Sequence, residues 1–452
     1  MTSSRFRIFQ CIALLTVCNS VVQAESVHRQ IQKHIPDIVE YLHNKGVKTV
    51  GVLKFRVAKP GEKLTDSAGP VNSLLADRLE VGLILANSFD EAKQLNVIKD
   101  ASAQVGKVDG ANHLTAAGRR TMFGSSYKLA WGDETVQADG FLTGIIQVHD
   151  DNRSASIGIL SFQKGAEKLE RACDVFEAEL DASTLGELGE SFFLRGAFDD
   201  GSSELTFEDR QQERQERVIE QAQQVRTKTA TFPLSDTAAP MRLEVLFDGR
   251  PVKVEVRDGR AFIPEPVTGQ KVEFALVRSS GAKGRLGVLL KVNGENTLYR
   301  ETNRDIDCSK WILSPEHTRT LVRGYQSSDG KTAEKFTVLS RSESAKRAID
   351  YGRNVGQIQL TVFQELTGPR PTPNLADEDE EDLIAMLRGV QPQKTPKNLS
   401  ALKRQIRTTG RDGLQTRGLI VQGEKTDNAV RVVTFEPDPT PVMSVTITYY
   451  KP

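Results

Sequence analysis

The chain has 452 residues, and its 60 lysines and arginines are balanced by 60 aspartates and glutamates. With no net charge to attract a polyanion, and only 6% aromatic residues to stack on bases, the composition argues against nucleic-acid binding. At roughly 100–200 residues per domain, this length predicts two domains.

Residues 1–24 have the pattern of a secretory signal peptide. Arginines at the start precede an apolar stretch over 8–22, and small residues mark a cleavage site at Ala24. The stretch is shorter than the roughly 20 residues that a membrane-spanning helix needs. We therefore expect cleavage near Ala24 and a secreted, periplasmic or cell-surface protein without an integral membrane segment. Cleavage would leave Cys173 and Cys308, which are too few for a disulfide framework and are predicted to be free, mostly buried thiols.

The segment 25–200 alternates between helical and strand patterns. An amphipathic helix over 26–45, which Pro36 can divide, precedes the apolar, β-branched run 49–55, predicted to be an interior strand. Pro70 suits the first turn of the next helix, because proline loses no hydrogen bond there. The later elements are predicted to be a strand at 96–100, a helix at 114–129, strands at 139–148, 154–163 and 169–180, and a helix at 184–195. This order predicts an α+β domain with helices packed on a small mixed sheet.

Three stretches of this segment resemble a family of bacterial envelope domains. They are residues 50–55 (VGVLKF), 71–79 (VNSLLADRL) and 138–144 (ADGFLTG). With the element order, they make residues 45–198 similar to the amino-terminal domain of TolB, the curli-export lipoprotein and the lipoprotein activators of peptidoglycan synthases. The resemblance implies a non-enzymatic domain, in the periplasm or at the outer membrane, that binds protein partners. Because the chain lacks a clear lipidation cysteine and a membrane-inserting apolar hairpin, it is not expected to form a pore.

Residues 201–234 are predicted to form a polar helical linker. The stretch 208–217 has no apolar stripe, and its Glu213 and Arg217 are four residues apart in the favourable order, which is worth about 0.2–0.5 kcal/mol. The apolar residues that follow do not sustain the heptads of a coiled coil. We therefore expect a solvated helix between two domains.

Residues 235–452 are predicted to form an all-β sandwich, and this half of the chain shows no family resemblance. Tight hairpins need residues that accept positive φ, and four such dipeptides lie between apolar runs: Asp248-Gly249, Asp258-Gly259, Asn293-Gly294 and Asp329-Gly330. Strands are predicted at 243–247, 252–256, 272–277, 286–292, 318–323, 336–339, 357–363, 419–422, 430–435 and 444–450, with one helix at 342–351. Strands at this spacing are typical of a β-sandwich.

A charged insertion at 367–416 interrupts the predicted sandwich. Six acidic residues at 377–382 precede a basic stretch over 388–411. The acidic run lacks the glycine and the final glutamate of a calcium loop, so we interpret it as the solvated start of a helix. The basic stretch is expected to fold back on the acidic run or to be a mobile loop, and contact with a polyanion is a third alternative.

The sequence offers one candidate ligand site. The six histidines are scattered, and none has metal-ligand spacing to a cysteine or a carboxylate, so we predict no catalytic residue, no metal and no cofactor. Asp305 and Asp307 could hold a cation or a sugar hydroxyl, with Trp311 as an apolar platform. The alternative is a turn between strands in which Trp311 fills the sandwich, because tryptophan is usually largely buried.

These patterns predict a non-enzymatic accessory protein, secreted or periplasmic, that binds an envelope protein or polysaccharide during assembly or export. The alternative function is a glycan-binding or carbohydrate-acting β-sandwich protein that uses Asp305, Asp307 and Trp311. A self-assembling structural component is a third hypothesis.

Overall fold

The computed structural model describes residues 26–165, 168–196, 206–301, 304–339, 356–366, 398–400, 402–403 and 420–449. Over these residues the protein is β-rich, with a few helices and several sheets. The predicted signal peptide (1–24), the predicted helix at 342–351 and all but five residues of the insertion at 367–416 lie outside the described residues.

The helices lie mainly in the first half of the chain. Their bounds are α1 (Val27–Lys33), α2 (Ile35–Asn44), α3 (Val71–Ala86), α4 (Ala101–Val105), α5 (Ala116–Met122), α6 (Ala182–Glu187) and α7 (Phe207–Arg226). The predicted first helix is divided as expected, because Pro36 lies in the first turn of α2 and α1 ends just before it. None of the described helices combines the length and the apolar character needed to cross a membrane.

The first half also contains ten strands among the described residues. Their bounds are β1 (Thr49–Val52), β2 (Arg56–Ala58), β3 (Asn96–Ile98), β4 (Ser126–Lys128), β5 (Thr135–Gln137), β6 (Gly140–Val148), β7 (Ser154–Gln163), β8 (Glu170–Arg171), β9 (Phe176–Glu179) and β10 (Phe192–Phe193). One sheet has the order β3-β1-β6-β7-β8, with β2 paired to β6 and β9 paired to β7, while β4 and β5 form a separate hairpin.

The interior position predicted for the strand at Thr49 is confirmed. Val50 pairs in parallel with Val97 of β3 and with Gly140 of β6, so β1 has a neighbour on each side. All four residues of β1 are buried. Helix α3 packs on this strand through its apolar side chains, and Leu75 and Leu79 belong to the same core. Packing α3 on β1 therefore buries the apolar side chains of both elements, and this places a helix against the mixed sheet.

Several predicted elements of this half are wrong in extent or type, and the strand predicted at 49–55 already ends at Val52. The helix predicted at 114–129 ends at Met122, because the chain then enters β4. The strand predicted at 169–180 is divided into β8 and β9. The helix predicted at 184–195 ends at Glu187: Gly189 takes a positive φ of 75°, and β10 then pairs with a strand of the second half.

The second half contains the remaining described strands. Their bounds are β11 (Met241–Phe247), β12 (Arg250–Pro251), β13 (Glu255–Arg257), β14 (Arg260–Phe262), β15 (Val272–Arg278), β16 (Leu286–Val292), β17 (Glu295–Asn296), β18 (Trp311–Leu313), β19 (Arg319–Val322), β20 (Gly324–Gln326), β21 (Thr332–Val338), β22 (Gln357–Gln364), β23 (Ile420–Asp427) and β24 (Met443–Thr448). The largest sheet has the order β13-β14-β24-β22-β16-β17, with β10 on β24 and β18 on β16. Two further sheets have the orders β12-β11-β15-β19 and β20-β21-β23.

The predicted hairpin turns are present. Asp248, Asp258 and Asn293 have φ values of 52°, 52° and 54°, and each is followed by a glycine with positive φ. The strand predicted at 252–256 is wrong in extent, because the pairing is divided between β12 and β13. The strand predicted at 430–435 is also wrong, because the described chain forms no strand there.

A single hydrophobic cluster includes residues from both halves of the chain. It contains Val50 of β1, Val218 of α7 and Val445 of β24. The helical linker predicted at 201–234 is present as α7, but the prediction that it is solvated is wrong for the second half of that helix, where Val218, Ile219, Ala222 and Val225 are buried. The predicted free thiols are confirmed, with Cys308 buried and Cys173 half-buried.

Candidate functional site

A groove of about 390 Å³ lies between the end of α7 and the hairpin β13–β14. Its lining includes Val225 and Phe232, which are buried, and Val256 of β13, which is 41% exposed. Lys228 and Arg257 line the same groove. A groove that combines apolar and charged side chains can accept a side chain of a binding partner and orient it.

The turn of the hairpin is held against the end of α7. Lys228 Nζ donates to Asp258 Oδ1 at 2.6 Å, across the space between the helix end and the turn. Gly259 has a φ of 71°, and a Cβ atom there would lie 2.8 Å from the carbonyl oxygen of Val225. Only glycine therefore lets the backbone of the turn approach the helix so closely.

Strand β13 forms an edge of the largest sheet. Among the described residues it pairs with β14 alone, and Glu255, Val256 and Arg257 are all exposed. The outer side of an edge strand presents backbone N–H and C=O groups that can pair with a further strand. We call the edge groove the site that consists of strand β13 and the groove between this strand and the end of α7.

The residues predicted to bind a ligand lie elsewhere, in the connection between β17 and β18. Asp305 is buried, and its carboxylate accepts from Lys291 Nζ at 2.7 Å and from Thr361 Oγ1 at 2.5 Å. Asp307 accepts from Arg304 Nε at 2.8 Å. The two carboxylates of the predicted site are therefore bonded to different partners within the chain.

The third predicted residue, Trp311, begins β18 and is half-buried. Its indole Nε1 donates to Thr297 Oγ1 at 3.0 Å, and its ring packs against the main hydrophobic cluster. This contact gives the indole a partner within the chain, as buried tryptophans usually have.

A buried charged network surrounds Asp305. Lys291 crosses from β16 to Asp305, and Glu187, at the end of α6, is fully buried close by. Burial, and then the charge of Asp305, raises the pKa of Glu187 to about 7. His28 of α1 lies 3.7 Å from this carboxylate, between Nε2 and Oε2. The network thus joins an early helix, α6 and the largest sheet.

The described residues contain no group of three or more His, Cys, Asp or Glu side chains that could hold a metal ion. Burial raises the pKa of both thiols, that of Cys173 to about 11. A thiol with a raised pKa supplies little of the reactive thiolate at neutral pH.

The edge groove was missed by sequence reasoning. The sequence predicted a strand ending at Val256, but it contained no signal that α7 would pack beside that strand. The nearest signal was the Asp258-Gly259 turn, which was predicted as a hairpin and not as a contact for a helix. The end of α7 and the turn of the hairpin are about 30 residues apart in the sequence, and a pattern within a short window cannot predict a contact between them.

The chain matches no protein-family model, no curated protein and no solved structure. The resemblance of residues 45–198 to envelope domains therefore stays an interpretation of their sequence. The function proposed below depends on the geometry of the edge groove.

Proposed function

We propose that this protein is a non-enzymatic accessory protein, secreted or periplasmic, that binds an extended segment of another envelope protein at the edge groove. The observation that supports this proposal is an exposed edge strand, β13, bordered by a groove that is lined by both apolar and charged side chains. The proposal includes two domains, an α+β domain at 25–200 and a β-sandwich at 235–452 joined by α7.

Strand addition explains how such a site would bind. An extended peptide would pair its backbone with β13, which supplies affinity through main-chain hydrogen bonds. Every second side chain of that peptide would point to one face, where the groove beside Val256 can receive an apolar group. Binding of this kind needs neither a catalytic group nor a cofactor.

A protein partner has more support than the polysaccharide partner or the glycan-binding alternative. Asp305 is buried and bonded to Lys291 and Thr361, so a sugar would have to displace partners that are already in place. The indole of Trp311 is half-buried and donates to Thr297. The edge strand, by contrast, lies at the end of its sheet and its three residues are exposed.

The test compares two substitutions of exposed valines. Val256→Glu places a charged side chain in the groove, at the position that would contact an apolar group of the added strand. Val267→Glu is the matched control, because Val267 is 65% exposed in the connection between β14 and β15. Both variants and the native protein would be immobilised, incubated with envelope extract of the producing cells, and the recovered proteins quantified by mass spectrometry.

We expect the native protein and Val267→Glu to recover the same protein, and Val256→Glu to recover at least tenfold less, a difference of about 1.4 kcal/mol. Thermal unfolding of the three proteins checks that each is folded. Equal recovery by both variants, or no specific protein with the native chain, would contradict the proposal. A change of Trp311 fluorescence on adding polysaccharide, retained in Val256→Glu, would favour the glycan-binding alternative.

A further inference from the structure

A second group of polar side chains lies next to the central strand of the first sheet. Lys54 is the second residue after β1 and Arg56 is the first residue of β2, while His113 and Arg119 belong to the crossover from β3 to β6. We call these four residues the cationic cluster. Asp66, in the loop before α3, is the carboxylate that faces it.

The position in the sheet is one where ligands commonly bind. Strand β1 lies between β3 and β6 and is parallel to both. After β1 the chain forms β2, which also pairs in parallel with β6, and then passes through α3 to β3 on the other side of β1 before it crosses to β6. In open α/β sheets, ligands bind outside the carboxyl ends of the strands where the strand order reverses in this way. Lys54 is the second residue after β1.

The basic side chains of the cluster are arranged around Asp66. Lys54 Nζ lies 3.2 Å from Asp66 Oδ2, and Arg119 Nη1 donates to the carbonyl oxygen of His113 at 3.2 Å. Burial lowers the pKa of Arg56, Asp66 raises it and Arg119 lowers it, so both groups lie close enough to Arg56 to act on its charge.

Two buried nitrogen atoms in the cluster have no hydrogen-bond partner among the described residues. They are Nε2 of His113 and Nε of Arg56. His113 as a whole is 8% exposed, whereas Arg56, Arg119 and Asp66 are half-buried, so the cluster extends from the interior to the surface. Buried polar nitrogens are nearly always hydrogen-bonded in folded proteins, and a bound anion would give these two donors an acceptor.

We propose that the cationic cluster binds a small oxyanion group, either a phosphate or a carboxylate. The planar fork of arginine matches the oxygens of both groups and can form two parallel hydrogen bonds to them. Burial, and then the charge of Lys54, lowers the pKa of His113 to about 4, so its ring is neutral at pH 7 and can offer an Nε2 proton to the anion. This site extends the function beyond binding at the edge groove and shares no residue with it.

The experiment uses the full secreted chain and three anions. Sodium phosphate, sodium sulfate and sodium acetate are added at one ionic strength, held constant with sodium chloride, and binding is followed by calorimetry and by the melting temperature. Arg56→Gln removes one charge of the cluster. Arg120→Gln is the matched control, because Arg120 is the exposed neighbour of Arg119 on α5.

We expect at least one anion to bind the native protein and Arg120→Gln equally, and Arg56→Gln at least tenfold more weakly. A response to phosphate and sulfate identifies the site as one for phosphate-like groups, and a response to acetate identifies a carboxylate site. If Arg56→Gln fails to fold by circular dichroism, Arg119→Gln replaces it. Equal binding by Arg56→Gln and Arg120→Gln, or no response beyond that to chloride, would overturn the proposal.

Discussion

The Oε2 atom of Glu187 lies 3.7 Å from the Nε2 atom of His28, and both side chains are buried. No hydrogen bond from the described residues reaches either carboxylate oxygen of Glu187. The other charges that act on this carboxylate come from Asp305, Arg78, Lys291 and Asp181. Burial disfavours the charged form of a carboxyl group that has no hydrogen bonds, so the pKa of Glu187 is raised to about 7.

Replacing Glu187 by glutamine should change how stability depends on pH. The pKa of Glu187 in the folded protein, about 7, exceeds its ordinary value of 4.5. The contribution of Glu187 to the free energy of unfolding is therefore fully present below pH 4.5, and it is lost as the pH rises through about 7. We expect Glu187→Gln to remove this loss and to be about 1–3 kcal/mol more stable than the native protein above that pH. Urea unfolding across this pH range measures the effect, and Glu208→Gln on the exposed face of α7 is the control. An unchanged pH slope in Glu187→Gln would contradict the assignment.

Removing the carboxylate of Asp305 should lower the free energy of unfolding, because this carboxylate pairs at 2.7 Å with the buried ammonium group of Lys291. Burial alone would lower the pKa of Lys291, but Asp305 holds it above its ordinary value. We expect Asp305→Asn to lose about 3–5 kcal/mol of unfolding free energy. Asp307→Asn is the comparison, because the Asp307–Arg304 pair is partly exposed and should be worth at most about 1 kcal/mol. Equal losses in denaturant titrations would show that burial does not distinguish the two pairs.

The glycine in the turn of β13–β14 should be more sensitive than the glycine in a comparable turn. Gly259 and Gly249 have φ values of 71° and 76°, so alanine costs about 1–2 kcal/mol at either position. A Cβ atom at Gly259 would also lie 2.8 Å from the Val225 carbonyl, while at Gly249 nothing lies within 4 Å. We expect Gly259→Ala to lose about 1–3 kcal/mol more than Gly249→Ala. Thermal unfolding decides this, and equal melting temperatures would mean that the turn does not pack on α7.

Protonation of His113 should destabilise the fold at acidic pH. Its folded pKa of about 4 lies below the ordinary value of 6.5, because burial and then the charges of Lys54, Arg56 and Arg119 oppose protonation, while Asp66 favours it. The contribution of His113 to the free energy of unfolding is therefore present above pH 6.5, and it is lost as the pH falls through about 4.

His113→Gln should reduce this acid-dependent loss, which urea midpoints at neutral and acidic pH would measure. His317→Gln is the control, because His317 is exposed. If the urea midpoints of the native protein and His113→Gln changed with pH in parallel, the pKa of His113 would be the same in the folded and unfolded chains, which would contradict this prediction.

Local patterns predicted many elements of this fold. The apolar run after Lys48 is a buried strand, and the helix after Pro70 packs on it. Asp-Gly and Asn-Gly dipeptides are hairpin turns, because few other residues accept positive φ. Both results depend on residues that are neighbours in the sequence, and the hydrophobic spacing of one segment is enough to identify them.

The errors share one cause, which is pairing between distant segments. Phe192 and Phe193 have a helical neighbourhood in the sequence, but they pair with Ser444 and Met443 of β24. The apolar residues of α7 are too sparse for a coiled coil, yet they are buried in the cluster that includes both halves. Such contacts contribute more than local propensity, and they form between residues that no short window contains together.

The amino-acid sequence by itself determined the central strand and its helix, the hairpin turns and the free thiols, because each depends on apolar spacing, turn chemistry or a simple count. Only the tertiary structure placed β13 beside α7, buried Glu187 near Asp305 and gathered Arg56 and Arg119 around His113. The physical reason is that side chains distant in the sequence exclude water from a group once they pack around it. This packing sets the exposure of the group, its pKa and the strength of its interactions with nearby charges.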